Sequence, residues 1–299
     1  MNSKTLKLLF TNLALLATAT AYSTTKTHYD KGKLSHEQSI NHDLNFASAN
    51  GNTLFVHNVF GSVDVEGYDG NDVEIRAQKF IWADSTEALE DGMQEIDLSH
   101  YIVDQRMHVY LDSPYTKFDE EKGRYSHHQQ RSNHDWPNYE YLINITVRLP
   151  RDTNLHVSAI NDGDIIVSDV HANKLRVSNI NGAIDMVNVS GTTKAHSINK
   201  DINISYSKNP DQDSSYETIN GDLNINFAQQ PNAEITFKTM NGDFFTQYDV
   251  QNLGPKMLKT STKSKRGVKY KFDSENRIKI GQGGTHYTFK TLNGDIYVK

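Results

Sequence analysis

From residue 155 onward, apolar and polar positions alternate with period two on either side of short Asn-Gly-Asp turns. The pattern Leu175-x-Val177-x-x-Ile180-Asn181-Gly182-x-Ile184-x-Met186 returns at Thr193, Ala195, Ile198, Asn199-Lys200-Asp201, Ile202 and Ile204. It returns again at Ser214 to Ile225 around Asn220-Gly221-Asp222, at Ile235 to Thr246 around Asn241-Gly242-Asp243, and at Tyr287 to Val298 around Asn293-Gly294-Asp295. An earlier copy, Leu155 to Val167, has one extra residue in its turn, and a degenerate one opens at Leu54, Val56, Val59, Phe60-Gly61-Ser62, Val63 and Val65. From Asn161 to Asn241 the asparagines are spaced by 20, 18, 21 and 21 residues.

Period-two alternation reads as β-strand, and Asn and Gly tolerate the positive φ of a tight reversal. A strand–Asn-Gly–strand unit fits an antiparallel hairpin or one corner of a coil whose strands stack in parallel on those of successive copies. The fixed period near 20 residues favours the second. One copy offers only about five inward side chains, too few to fold alone, whereas stacked copies share a continuous core. The fold class read here is all-β: a parallel β-helix-like solenoid of about 20-residue repeats, with an antiparallel sandwich as the competing arrangement.

The pattern lapses between Tyr68 and Tyr139. Val73 to Ile81 continues as a strand. Asp84-Ser85-Thr86-Glu87 looks like a capping box opening one short helix with Leu89, Met93 and Ile96 on one face, although Gly92 weakens it. That helix is placed to cover a solenoid end, which otherwise leaves an unpaired edge. Further strands follow near Tyr101–Leu111 and Tyr141–Leu149. Two insertions, about 113–139 and 249–285, interrupt the repeats of a single domain spanning 50–299, preceded by an extension over 22–49.

Residues 1–21 have the layout of a cleaved export signal: Lys4 and Lys7, the apolar run Leu8–Ala17, then Ala19-Thr20-Ala21 before Tyr22. The apolar run is shorter than the roughly 20 residues that a spanning helix needs. No other stretch qualifies, so the mature chain is read as having no transmembrane segment and as periplasmic or secreted. The formal net charge is −6, and loss of Lys4 and Lys7 makes it more negative, which argues against nucleic acid as a partner. Mean hydropathy is −0.66, consistent with a thin repeat body. With no cysteine, disulfides, thiol chemistry and Cys-ligated zinc are excluded, and an exported chain of this size without disulfides reads as bacterial.

Three clusters invite a chemical role. The turn aspartates Asp164, Asp201, Asp222, Asp243 and Asp295 would lie near the strand spacing of about 4.8 Å if the copies stack in register. They read either as a Ca²⁺ ladder or as caps, each bonding the backbone N–H groups of its own turn. His127, His128 and His134 offer imidazoles suited to Zn²⁺, Cu²⁺ or Ni²⁺, but without ordered spacing they read equally as a solvated insertion. Lys256, Lys259, Lys263, Lys265, Arg266, Lys269 and Lys271 carry no acid between them. They suit anionic polysaccharide, lipopolysaccharide or phospholipid head groups, or simply balance an acidic body. No nucleophile elbow, phosphate loop or His-Glu zinc motif occurs, so no residue is assigned to catalysis, a cofactor or a metal.

The units Thr218-Ile219-Asn220-Gly221-Asp222-Leu223, Thr239-Met240-Asn241-Gly242-Asp243-Phe244 and Thr291-Leu292-Asn293-Gly294-Asp295-Ile296 resemble a bacterial family of candidate adhesins, exported β-strand-repeat domains of unknown function. Gly61-Ser62-Val63-Asp64-Val65-Glu66-Gly67-Tyr68 and the Leu149-Pro150 step resemble it too, while the His-containing loop and Asn199-Lys200-Asp201 depart from it. The resemblance implies a cell-envelope or surface role and brings no catalytic residues. The function read from all this is a non-enzymatic, adhesin-like binding or structural module. Its partner is not specified; an envelope glycan or another envelope protein fits. The alternative is a polysaccharide-acting β-helix lyase or hydrolase, which requires a groove lined by carboxylates and a Lys or Arg base.

Overall fold

The computed structural model describes residues 33–46, 51–115, 117–121, 123–126, 137–264 and 267–299. The export signal and His127, His128 and His134 lie outside these residues. Most of the described residues lie in strands, joined into one 21-stranded sheet with a separate two-stranded piece. Among the described residues one helix, Thr86–Glu95, interrupts it.

Each copy contributes a strand before its Asn turn and a strand after it, and these form two rows of parallel pairings. The first row runs Arg106–Asp112, Thr53–His57, Asn154–Ala159, His171–Asn179, the later part of Ile184–Ser197, then Ser214–Glu217. The second runs Tyr139–Pro150, Val63–Tyr68, Ile165–Ser168, the earlier part of Ile184–Ser197, Ile202–Lys208, then Leu223–Asn226. Pairing is parallel throughout both rows, which decides against the sandwich.

Stacking does not follow chain order to the end. Thr285–Lys290 pairs with Ser214–Glu217 on one side and with Ala233–Lys238 on the other. Ile296–Val298 likewise lies between Leu223–Asn226 and Phe244–Thr246. The copy that comes last in the sequence is therefore inserted between the two copies that precede it. The second insertion makes this possible: Lys256–Ser264 and Gly267–Ile280 form an antiparallel hairpin that returns the chain along Ala233–Lys238.

Inward side chains from both rows, among them Leu155, Val157, Val177, Tyr216, Phe289, Ile184, Met186, Ile202 and Ile296, join one contiguous buried core. Fully burying a side chain of this kind contributes about 1.5–3 kcal/mol. The aliphatic residue before each Asn is not among them. Ile180 is 37% exposed and Met240 68% exposed, so a copy supplies about four inward positions rather than five. The two polar positions after Val177 carry the chain round the corner and turn Ile180 outward.

At the amino-terminal end the rows pass into antiparallel strands. Asp72–Ala83 pairs with Tyr139–Pro150, and Leu34–Asn45, within the stretch read as an extension, pairs with Asp72–Ala83. The helix begins one residue later than its sequence suggests: Ser85 Oγ accepts the Ala88 N–H at 3.2 Å, and no glutamate stands at the position that would close a box. It packs on Asp72–Ala83, Leu34–Asn45 and Tyr139–Pro150. Gly92, a liability by propensity, is required there: a Cβ at this position would lie 2.7 Å from Ile81 Cγ2 and 2.9 Å from the Tyr139 ring.

Candidate functional site

The turns form the first ordered feature. Asn181 Nδ2 donates to Asn161 Oδ1 at 2.7 Å, and Asn199, Asn220, Asn293 and Asn241 continue the chain of amides at 2.7–2.9 Å. The first three links join residues 20, 18 and 21 apart in sequence. Gly294 has a φ of 153° and a Cβ there would sit 2.0 Å from the Gly221 carbonyl oxygen, so stacking at this corner requires glycine.

The turn aspartates belong to the same scaffold. Asp164 Oδ1 accepts the Ala183 N–H at 2.7 Å. Asp201, Asp222 and Asp295 accept the N–H of Asp222, Asp295 and Asp243 at 2.8 Å each. Each carboxylate thus caps the turn of the neighbouring copy, not its own. Among the described residues no group of three or more His, Asp or Glu is disposed to hold a metal ion. The basic run 256–271 lies largely on the hairpin Lys256–Ser264 and Gly267–Ile280.

A second feature lies on the outer face of the first row. Because Leu155 and Val157, Leu175 and Val177, and Thr193 and Ala195 point inward, His156, Arg176 and Lys194 point outward. Register sets His156 opposite Arg176, Arg176 opposite Lys194 and Lys194 opposite Ser215. One step along the strands, Ser178 faces His196 and His196 faces Glu217. These side chains line an open depression of about 370 Å³. Like charges directly opposite on neighbouring strands are destabilising, and among the described residues neither Arg176 nor Lys194 has a carboxylate partner. Burial, and then the Arg176 guanidinium, holds the His156 imidazole down to about 4.

Beyond His156 the row becomes aromatic. Phe55 stacks on His108 at 4.3 Å and meets His156 at 5.1 Å; Tyr101 covers the other side of His108 at 4.6 Å. His57 Nδ1 lies 2.7 Å from Ser158 Oγ. His57 is held down to about 3 by burial and then by His156 and His108, and burial also lowers His108. Among the described residues neither His57 Nε2 nor His108 Nδ1 has a hydrogen-bond partner. The small hairpin Lys117–Asp119 and Arg124–Ser126, inside the first insertion, closes over this cluster. Tyr125 Oη donates to the carbonyls of His57 and Leu111 at 3.1 and 3.0 Å, and Phe118 packs 5.1 Å from the His57 ring.

None of His57, His108, His156, Arg176 or Lys194 stands out by motif. A signal was present all the same: His156, Arg176 and Lys194 occupy one outward position in three successive copies, between the two inward residues that define the pattern.

Parallel rungs tied by side-chain ladders, with an open polar face and a cationic strip, define a repeat-built all-β scaffold of solenoid-like form. The chain belongs to the Toastrack DUF4097 family, whose profile matches residues 144–299. No match is found among curated proteins. Among solved structures, one from Clostridium sporogenes, provisionally named a cell adhesion protein, is 9% identical with a TM-score of 0.39, covering 88% of this chain and 99% of that one. A provisionally named adhesin from Bacteroides fragilis is 9% identical with a TM-score of 0.29, covering 88% and 97%. Another from Parabacteroides distasonis is 10% identical with a TM-score of 0.27, again covering 88% and 97%. No helix among the described residues is long and apolar enough to cross a membrane.

Proposed function

We propose that this protein is an exported, non-enzymatic module of the bacterial envelope, periplasmic or secreted, that binds an envelope glycan or another envelope protein in the manner of an adhesin. In this reading the Asn-Gly-Asp copies form a solenoid of about 20-residue repeats, and the scaffold exists to hold a rigid outer face. The observation that carries it is the in-register pair Arg176 and Lys194, two cations set directly opposite one another on neighbouring parallel strands, with the uncharged imidazole of His156 beside them. Support for export comes from the signal-like residues 1–21. The depression contains one carboxylate, Glu217, where a lyase or hydrolase would need several acids grouped around a base.

The test is protease shaving of intact native cells, followed by immunoblotting of periplasmic, outer-membrane and medium fractions and co-sedimentation of the purified protein with envelope fragments. Export together with saturable co-sedimentation supports the proposal. Retention in the cytoplasm, or polysaccharide turnover abolished by substitution at Glu217, overturns it.

A further inference from the structure

The depression does not have the character of a plain anion trap. Arg176 and Lys194 sit at its centre, but they are bordered by the hydroxyls of Ser178 and Ser215, the imidazole of His196 and the carboxylate of Glu217. A ligand that is only anionic would meet Glu217 as a repulsion. One that carries an acid group and also hydroxyl donors satisfies both: the acid neutralises the Arg176–Lys194 pair, and a hydroxyl donates to Glu217. Charge-assisted bonds to guanidinium and ammonium are about twice as strong as neutral ones, and a bound anion removes the like-charge repulsion that the free face carries.

Shape narrows the choice. The lining residues come from four consecutive strands of the first row, Asn154–Ala159, His171–Asn179, Ile184–Ser197 and Ser214–Glu217. At about 4.8 Å per strand the depression runs for roughly 14 Å across them. It is a recess of about 370 Å³ between these side chains, open to solvent, a form suited to a single chain of sugars and not to a planar lipid surface.

We propose that this outer depression binds a linear acidic glycan, a uronic-acid type of chain, with Arg176 and Lys194 on its carboxylate and with Glu217, Ser178, Ser215 and His196 on its hydroxyls. The inference rests on the binding-module reading above and names its ligand class and its site.

The experiment is titration calorimetry of the full exported protein with trigalacturonic acid, with neutral galactotriose, with inorganic phosphate and with phosphatidylglycerol vesicles. Trigalacturonic acid is expected to bind, and galactotriose at least about tenfold more weakly. Arg176→Ala/Lys194→Ala is expected to lose about tenfold or more, while Glu217→Gln weakens binding of both sugars. Both cations are exposed, so the double variant is expected to melt at or above the parent temperature as the repulsion is relieved. As a second readout, the His156 ring protons, followed by NMR, should titrate at higher pH once the acid trimer is bound.

Equal binding by parent and double variant overturns the proposal. So does equal binding of the neutral trimer, or phosphate or vesicles competing as well as the acid trimer. Loss of binding only when the lysines of 256–271 are replaced by alanine moves the site elsewhere. If the acid trimer fails to bind but the protein still sediments with envelope fragments, this inference falls and the binding-module reading stands. If neither occurs, both fall.

Discussion

Asn241 donates its side-chain amide to Asn293 Oδ1 at 2.7 Å, although 52 residues separate them and Asn293 comes later in the chain. Asn293 in turn donates to Asn220 Oδ1 at 2.7 Å, 73 residues before it. It is the next-to-last member of the ladder, and the last member, Asn241, is an earlier residue.

That position sets a contrast between two substitutions. Asn293→Ala removes both bonds and is expected to cost about 1–3 kcal/mol, whereas Asn241→Ala removes one and should cost about 0.5–1.5 kcal/mol. Urea unfolding of the two variants checks the ratio. Equal losses would mean that the amide ladder does not act link by link.

Deleting residues 285–299 takes away an inner rung rather than an outer one. The strands Ala233–Lys238 and Phe244–Thr246 then lose their parallel partners, and Tyr216 loses the Phe289 ring stacked on it at 4.8 Å. Hydrogen exchange should show protection lost across 233–246 while 154–205 remains protected. Retained protection across 233–246 would show that this segment can close directly on Ser214–Glu217.

Acid should loosen the amino-terminal half. His57, His108 and His156 have folded values below the ordinary 6.5, with His57 near 3 and His156 near 4, and burial is the leading cause for each. Arg106 and Arg176 reinforce the shift at His108 and His156, and Glu120 opposes it at His108. The unfolded chain takes up protons below pH 6.5 while these folded rings stay neutral. Stability is therefore full above pH 6.5 and falls as pH drops, toward 3–4 for His57 and His156 and by up to about 1.4 kcal/mol per pH unit for each of those two, with His108 acting in the same direction. His57→Phe keeps the aromatic packing and should flatten the profile of melting temperature between pH 7 and pH 4. An unchanged slope would rule His57 out as a contributor.

Gly92→Ala tests packing against propensity. Alanine is the better helix former by about 1 kcal/mol, yet its Cβ would meet Ile81 and Tyr139 at under 3 Å. Overpacking of this kind costs about 1–3 kcal/mol, so a lower melting temperature is expected. A rise would show that the helix shifts freely on its sheet.

What was legible in the sequence follows from what a repeat can encode. Period-two patterning and the Asn-Gly-Asp corners set the strands, the turns and the parallel stacking of Leu155 on Leu175. Stacking order was not legible, because Ile225 offers the same surface to Val298 as to Thr246 and only the hairpin at 256–280 decides between them. The aspartates were misplaced by one copy, since a carboxylate near a turn reaches the next backbone as readily as its own. Arg176 and Lys194 occupy the outward, variable positions of the pattern, which the repeat leaves unconstrained.

The inserted rung has a consequence for how the molecule comes into being. A chain is made amino end first, and a regular stack can close each rung as it emerges. Here residues 233–246 arrive before the segment that must lie beneath them. Their parallel partners in the finished fold are supplied only by 285–298, and the hairpin tethers the two segments to each other. Completion thus waits for residues 285–298, and a chain stopped before them is left with an open seam rather than a shorter version of the finished body.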